Sequence, residues 1–264
     1  MSRFRGRVAL VTGSTQGVGE ALLHRMADEG LVGAIVTGRN AARGVAVVEA
    51  LEQKGCDAWF VPADLADADD VAAIAEAADE RFGRIDHLAN CAGVTDRGDV
   101  WDTEPALFDR MMAVNVRAPF QLIQATAKIA RRNGSPASVV NVGSVAGYGG
   151  APFITPYSIS KGALMTMTKS VAYQLMRNQV RVVTVNPGWM DTPGEDMRQQ
   201  VSHDRPKGWL EGVEANMPFG MLVKPEHVAR QAAFLLGPDS GVVTGALMDF
   251  DQQVVGAYPD TDES

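Results

Sequence analysis

Ser144, Tyr157 and Lys161 bring a hydroxyl, a phenol and an ammonium into one segment, GSVAGYGGAPFITPYSISK. Tyr157 and Lys161 stand four residues apart, so on a helix they share one face at neighbouring positions. A phenol titrates near ~10 in water and is a poor base near neutrality unless its anion is stabilised. An adjacent ammonium together with a cationic ring supplies that stabilisation. Lowering the phenol by roughly 2–3 units takes about 3–4 kcal/mol of differential interaction. The phenol could then move a proton on or off a substrate oxygen. Taken alone, YxxxK also describes an exposed Tyr and Lys on an amphipathic helix, so the rest of the chain must decide.

Such a site needs a scaffold, and the hydrophobic pattern predicts one. Short runs at Val8–Thr12, Ala34–Thr37, Ala58–Pro62, His87–Asn90, Ser138–Val142, Arg181–Asn186 and Ala246–Phe250 read as strands. Each is continuously apolar rather than alternating, as strands buried on both faces of a parallel sheet should be. Helical spacing fills Gln16–Glu29, Ala41–Lys54, Asp67–Phe82, Glu104–Arg132, Pro156–Asn178 and Pro225–Leu236. Several of these open with Asp, Thr or Pro near the first turn. The alternation predicts an α/β fold of Rossmann type: one doubly wound, seven-stranded parallel sheet with helices on both faces. No Pro/Ser-rich linker divides it, so residues 1–264 read as a single dinucleotide-binding and catalytic domain with a short tail at 251–264.

Composition excludes several other roles. The net charge is −8 and the Arg and Lys residues are scattered, which speaks against a nucleic-acid partner. The opening MSRFRGRVALVTG leads from basic residues into a strand without the apolar stretch of a signal peptide or membrane span. The expectation is a soluble cytoplasmic protein with no membrane partner. Cys56 and Cys91 are too few for a disulfide framework, and no Cys/His cluster has metal-ligand spacing, so no metal is expected. His24, His87, His203 and His227 read as incidental.

The first strand runs into TGSTQGVG, Thr12 to Gly19, at the mouth of a helix. Gly13, Gly17 and Gly19 leave room for a backbone that must turn and approach a pyrophosphate, which the helix N-terminus attracts. With it, in order, come NCAG at Asn90–Gly93, Asn115, Ser144, YSISK at Tyr157–Lys161 and NPGWMDT at Asn186–Thr192. Together these motifs resemble the short-chain dehydrogenase/reductase family over roughly residues 6 to 250. A Ser hydrolase elbow does not fit, because Val142 rather than Gly sits two residues before Ser144.

The resemblance implies roles residue by residue. Tyr157 is the acid/base; Lys161 lowers its pKa and binds the nicotinamide ribose; Ser144 hydrogen-bonds the substrate oxygen. Asn115 completes the tetrad by holding a water in a proton relay to the lysine, a role compatible with its amide also satisfying a local backbone group. Gly13, Ser14, Thr15, Gln16, Gly17, Val18 and Gly19 line the dinucleotide; Asp64 and Leu65 meet the adenine. Asn90, Ala92 and Gly93 lie beneath the adenosine ribose, and Pro187, Gly188, Met190 and Thr192 hold the carboxamide. The helix-cap alternative for Asp64 would fall to Asp67 instead. Three departures from the family pattern stand out: Cys91 for a commoner Asn, Gly143 for a commoner Ser, and DFDQ at Asp249–Gln252 where a Gly-Gly turn is often found.

Four expectations follow about how the site is used. Gly38 puts no carboxylate at the end of the second strand, and Arg39 could pair with a 2′-phosphate, so NADP(H) is favoured with NAD(H) as the alternative. The substrate is a small secondary alcohol or carbonyl, a sugar or polyol by resemblance of GWMDTPGED and DFDQ to such members. The rivals are a 3-oxoacyl carrier-protein reductase, docking through Arg131, Arg132 and Arg177, and a non-catalytic dinucleotide sensor. Residues 188–220 read as a mobile lid, with Trp189, Met190, Trp209 and Met217 as apolar walls and Glu195 or His203 meeting substrate hydroxyls. By resemblance, the helices over Glu104–Arg132 and Pro156–Asn178 pair across a twofold axis in a homotetramer.

Overall fold

The computed structural model describes residues 2–201 and 205–257. Its seven strands are β1 (Val8–Thr12), β2 (Gly33–Gly38), β3 (Asp57–Pro62), β4 (His87–Asn90), β5 (Ala137–Val142), β6 (Val180–Pro187) and β7 (Leu247–Phe250). They form one parallel sheet in the order β3-β2-β1-β4-β5-β6-β7. The order reverses between β1 and β4, and at that switch point a doubly wound sheet opens a crevice at its carboxyl edge.

The central strands are apolar throughout because successive side chains feed two different cores. Ala9, Val11, Val36, Val140 and Val185 join one core with α1 (Gly17–Asp28) and α2 (Ala41–Glu52). Leu10, Ile35, Leu88, Val139 and Val182 face the other, against α3 (Ala68–Phe82). The two edge strands depart from the predicted continuous burial. In β3 the pattern alternates, and Trp59 lies 45% exposed under the Arg81 guanidinium, 4.8 Å from the ring centroid. An edge strand covered on one face only needs one apolar row.

The stretch read as a single helix from Glu104 to Arg132 has three parts: α4 (Pro105–Met112), a π-helical turn at Ala113–Arg117, and α5 (Ala118–Asn133). Pro119 explains the break. It has no N–H to donate to the carbonyl four residues back, which belongs to Asn115, and its ring crowds that turn. The widened turn sets the Asn115 side chain inward, 1% exposed. Downstream, α6 (Thr155–Leu175) ends in a 3-10 turn that Gln179 closes in the left-handed region, at φ 59°. Residues 188–220 contain two short helices, α7 (Pro193–Val201) and α8 (Trp209–Glu214), before α9 (Pro225–Leu236). Asp67 caps α3 by accepting from Asp69 N at 2.8 Å, and Asn40 caps α2 by accepting from Arg43 N at 2.9 Å. Among the described residues no helix is long and apolar enough to cross a membrane.

Polar groups inside the sheet set the position of the later site. Asn141, fully buried on β5, accepts from Asn90 Nδ2 of β4 at 2.8 Å and donates to Thr168 Oγ1 of α6 at 2.9 Å. Thr168 in turn shares a 2.7 Å hydrogen bond with Thr184 of β6. His87 is held neutral by burial, which pushes its pKa down to about 4; its Nδ1 lies 2.7 Å from Ser138 Oγ, whose own proton goes to the Leu236 carbonyl. Replacing Asn141 with Ala would strand the Asn90 and Thr168 partners in the dry interior. A loss of roughly 2–4 kcal/mol is expected in urea unfolding, whereas a loss below about 0.5 kcal/mol would show the chain of amides to be incidental.

Candidate active site

The turn after β1 is built for close approach. Gly13 and Gly17 sit at φ 62° and 63°, in the left-handed region open to glycine. A Cβ on Gly19 would come within 2.7 Å of the Gly13 carbonyl, and one on Gly13 within 2.8 Å of Ala92 Cα. The Gly-rich turn and the NCAG loop therefore lie against each other. Thr12 ties them, its Oγ1 accepting from Cys91 N and Ala92 N at 3.1 and 3.2 Å. Ser14 does not face a ligand with its side chain: the buried hydroxyl donates to Val11 O and accepts from Thr37 N. Thr15 is likewise buried, against Gly38, where a Cβ would meet its hydroxyl at 2.8 Å. Backbone N–H groups at the start of α1, with Gln16 and Val18 beside them, remain to receive an anion. Asn90 Oδ1 and Asn186 Oδ1 are buried without a hydrogen-bond partner at the carboxyl ends of β4 and β6. A cradle of this shape, floored by orphaned acceptors, fits a dinucleotide.

The predicted tetrad comes together. Ser144 follows β5 and opens a 3-10 turn, Val145–Tyr148, its Oγ accepting from Ala146 N at 3.1 Å. Lys161 lies over the Tyr157 ring, 5.6 Å from its centroid, and its ammonium donates to the Val142 carbonyl at 2.8 Å. Gly93 faces this pair from the opposite loop: a Cβ there would sit 3.4 Å from both Lys161 Nζ and Asn115 Oδ1. Asn115 clamps the same loop, accepting from Val94 N at 3.0 Å and donating to Val94 O at 2.9 Å and to Ser160 Oγ at 3.0 Å. Its side chain thus has the local structural role foreseen for it.

Without a cofactor the Tyr157 phenol is raised above its ordinary value of 10.0. Burial is the dominant cause; the Ser144 hydroxyl pulls the value back, and Arg198 and Glu195 act in opposite senses. Lys161 is itself depressed from 10.5 to about 8, because the buried ammonium has lost its water. Next to it, burial pushes the Cys91 thiol up to about 12, so that side chain stays neutral. The protein's own groups therefore leave the phenol protonated at neutral pH. It is an acid in this setting, and the lowering needed for a base must arrive with positive charge on a ligand.

At the adenosine end the predicted residues are close but already engaged. Asp64 is held below the usual carboxylate range, first by the Ala66 N–H and then by Arg110, 3.3 Å away. Arg39 is exposed at the end of β2 and adds to the positive field on Asp64. Leu65 is buried among the helices of the second core. Sequence reasoning missed Arg43, which reaches back from α2 to donate to Gln16 Oε1 at 2.5 Å. Its spacing of four from Arg39, across a helix start, was the available signal.

On the nicotinamide side, Pro187 ends β6 and Thr192 Oγ1 accepts from Glu195 N at 3.0 Å, opening α7. Met190 is partly buried and packs against the first core. Trp189 and Trp209 stack on each other at 5.7 Å, with the Arg205 guanidinium over both rings. Glu195 accepts from Trp189 Nε1 at 2.9 Å, Gln199 Nε2 at 2.7 Å and Arg198 Nη1 at 2.5 Å. It is bonded to three lid residues and also lies near enough to Tyr157 to act on its phenol. His203 lies outside the described residues. Among those described, no group of His, Cys, Asp and Glu could hold a metal.

A dinucleotide cradle at the switch point, with a Ser–Tyr–Lys set beside it, defines a nucleotide-dependent oxidoreductase by geometry. A family model described as enoyl-(acyl carrier protein) reductase matches residues 13–252. A 3-oxoacyl-(acyl-carrier-protein) reductase of Thermotoga maritima is 32% identical over 257 residues, 96% of this chain and 99% of the relative. The solved 3-ketoacyl-(acyl-carrier-protein) reductase of Brucella melitensis, complexed with NADH, is 30% identical with a TM-score of 0.82, covering 94% and 98% of the two chains. A variant of actinorhodin polyketide ketoreductase, solved with NADPH, has a TM-score of 0.85 at 28% identity over 93% and 96%. The chain belongs to the short-chain dehydrogenase/reductase family, oxidoreductases that act on CH–OH groups.

The depressed lysine has a measurable consequence. The folded protein gives up the Lys161 proton near pH 8, before the unfolded chain does at 10.5. Below about 8 the buried charge therefore works against stability, and the penalty disappears as pH rises from about 8 to 10.5. In the cofactor-free protein, lysine-selective NMR should find one ammonium, absent in Lys161→Met, with a midpoint near 8. A midpoint near 10.5 for every lysine would show that the Val142 carbonyl offsets the lost hydration.

Proposed function

We propose that the chain reduces a ketone to a secondary alcohol at the expense of NADPH, on a substrate whose oxo group is carried by a largely apolar, acyl-type body. The observation that carries this reading is the buried Tyr157 phenol set beside the Ser144 hydroxyl, with the Lys161 ammonium over its ring. A bound nicotinamide dinucleotide would supply the hydride. Ser144 donates to the ketone oxygen and fixes its direction. Tyr157 passes its proton to that oxygen as negative charge develops there. Lys161 holds the ribose and stabilises the phenolate left behind. In the oxidative direction the same atoms run in reverse.

An apolar body fits better than the sugar or polyol expected from the sequence. Glu195, the carboxylate expected to meet hydroxyls, is occupied by Trp189, Arg198 and Gln199, while Met197, Val201, Phe219 and Met221 of the lid region stay exposed. The ketoacyl reductases among the relatives support the same class. Carrier docking through Arg131, Arg132 and Arg177 has less support. These residues follow from the C-terminal ends of α5 and α6, away from the crevice, and Arg132 is paired with Asp79 at 2.6 Å. A sensor role leaves the assembled Tyr157, Lys161 and Ser144 without a purpose.

Mobility of the lid over 188–220 and a homotetramer remain part of this reading. Phe120 on α5 and Ile159, Tyr173 and Met176 along α6 and its end are exposed, apolar and suited to a helix-to-helix interface. Light scattering at micromolar concentration is expected to give four copies, and a monomer would overturn the assembly.

Turnover tests the substrate class. The N-acetylcysteamine thioester of acetoacetate should be reduced at least tenfold more efficiently than ribitol or sorbitol is oxidised, and Tyr157→Phe should abolish the reaction while sparing NADPH binding. Preference for the polyols would restore the sequence-based reading; retained activity in a folded Tyr157→Phe would end the mechanism. Cofactor choice rests on Arg39 and Arg43 at the open end of β2, where Gly38 brings no carboxylate. Arg39→Asp should shift the ratio of NADPH to NADH efficiency toward NADH by about tenfold or more, the worth of one charge-assisted contact. An unchanged ratio would remove the assignment.

A further inference from the structure

DFDQ, the departure that the cofactor roles leave unused, is where three loops of the site meet. Along β7 and just beyond it, residues two apart point to the same side. Phe250 packs on the first core, and its neighbours Asp249 and Asp251 turn the other way, toward the crevice. Asp249 Oδ1 accepts from the Tyr148 hydroxyl at 2.9 Å and from Asn186 Nδ2 at 3.0 Å. Tyr148 closes the 3-10 turn that Ser144 opens. Asn186 stands two residues before Gly188 on β6, its other amide atom set against Gly143, where any Cβ would overlap it. The Asp251 carboxylate covers Gly188 so closely that a Cβ there would also overlap, and Gly188 N donates to Phe250 O at 3.1 Å. Gln252 then makes a two-point bond to the far end of the lid: its Oε1 accepts from Phe219 N at 2.9 Å and its Nε2 donates to Met221 O at 2.7 Å.

We propose that Asp249–Gln252 is a clasp that sets the substrate loop and the lid in register, with Asp249 a positioning residue acting through Tyr148 and Gln252 a positioning residue acting on the lid backbone. Tyr148 is 48% exposed and sits four residues after Ser144, so its ring is available to a substrate while its hydroxyl is anchored. Removing the anchor lets the ring turn without touching Ser144, Tyr157 or Lys161. The clasp thereby governs how a ketone is oriented and which ketones are accepted. Glycine at 251 and 252 would supply neither the carboxylate over Gly188 nor the fork to the lid.

The inference rests on the reading of the site as a ketone reductase, and two independent readouts separate the two. The first is kinetic, with the acetoacetyl thioester as probe. Asp249→Ala and Tyr148→Phe should each raise KM about three- to tenfold, the worth of one hydrogen bond, with kcat and NADPH affinity little changed. Tyr148→Phe deletes one bond to Asp249, and Asp249→Ala deletes that bond together with the one from Asn186, so the double variant should be no worse than Asp249→Ala alone, and Asp249→Asn, whose amide oxygen still accepts, should recover most of the loss. The second readout needs no turnover. In the NADPH-bound protein, amide exchange should quicken over residues 145–150 in Asp249→Ala and over 217–222 in Gln252→Ala, with the central strands unaffected. Additive effects of Asp249→Ala and Tyr148→Phe, or unchanged KM, would overturn the link to substrate. Exchange that is unaltered, or faster across the whole sheet, would overturn the clasp itself. If the wild type turns over no ketone, the reductase reading falls and the exchange data alone decide the clasp.

Discussion

A buried ammonium is the constraint around which this protein is arranged. Lys161 is 4% exposed, and its ammonium donates to the Val142 carbonyl. Desolvating such a charge costs several kcal/mol unless partners replace the water. The surroundings meet that cost by position more than by number. Val142 is the last residue of β5, so its carbonyl is fixed by the sheet. Gly93 leaves open the space beside Nζ that a side chain would fill, and Asn115 pins the loop that carries Gly93. The helix bearing the lysine is held by Thr168, through Asn141 and Thr184, to both β5 and β6. A flexible four-carbon side chain thus ends in a small, fixed volume.

From that constraint follows the division of labour between protein and ligand. In the protein alone, burial raises the Tyr157 phenol and lowers the Lys161 ammonium to about 8. Both groups are poised by burial, the one effect that moves an acid up and a base down together. Ribose hydroxyls at Lys161 and positive charge near the phenol would change both balances in the direction of catalysis. The site is therefore completed by what binds in it, which is why the free protein does not display a base.

Much of this was legible in the sequence because backbone requirements leave few residue choices. The strands were found within one residue of their ends, and the sheet's central strands were apolar for the reason given, two cores fed alternately. The tetrad was visible because Tyr157 and Lys161 are coupled by helix geometry, independent of the tertiary fold. What was not legible depends on distance through space. Pro119 was a local signal for the break at Asn115 that the helical spacing masked, whereas nothing local shows that Glu195 would be absorbed by three lid residues or that burial would dominate at the Tyr157 phenol. Edge strands were misjudged for a similar reason: β3 lacks a neighbour on one side, and its sequence gives only a weaker apolar run.

The lid and the scaffold differ in the kind of interaction that holds them. The sheet rests on apolar burial and on amides and hydroxyls bonded inside it. Over residues 188–222, the bonds are charge pairs near the surface, Arg198 with Glu195 and Lys224 with Asp191 and Glu214, together with two stacked indoles. Surface pairs of this kind contribute little each, about 0–1 kcal/mol, and salt weakens them. Trp189, Glu195, Arg198, Gln199 and Trp209 are bonded or stacked on one another, so on the proposed reading of residues 188–220 as a lid they would move together. The bridge of Met190 to Val223 ties the start of the segment to the residues after its end, while Gly188 N on Phe250 O and the Gln252 fork join it to β7 and the residues just beyond. On the proposed reading the lid would hinge where those few long-range polar bonds lie, while the framework that carries Tyr157 stays fixed.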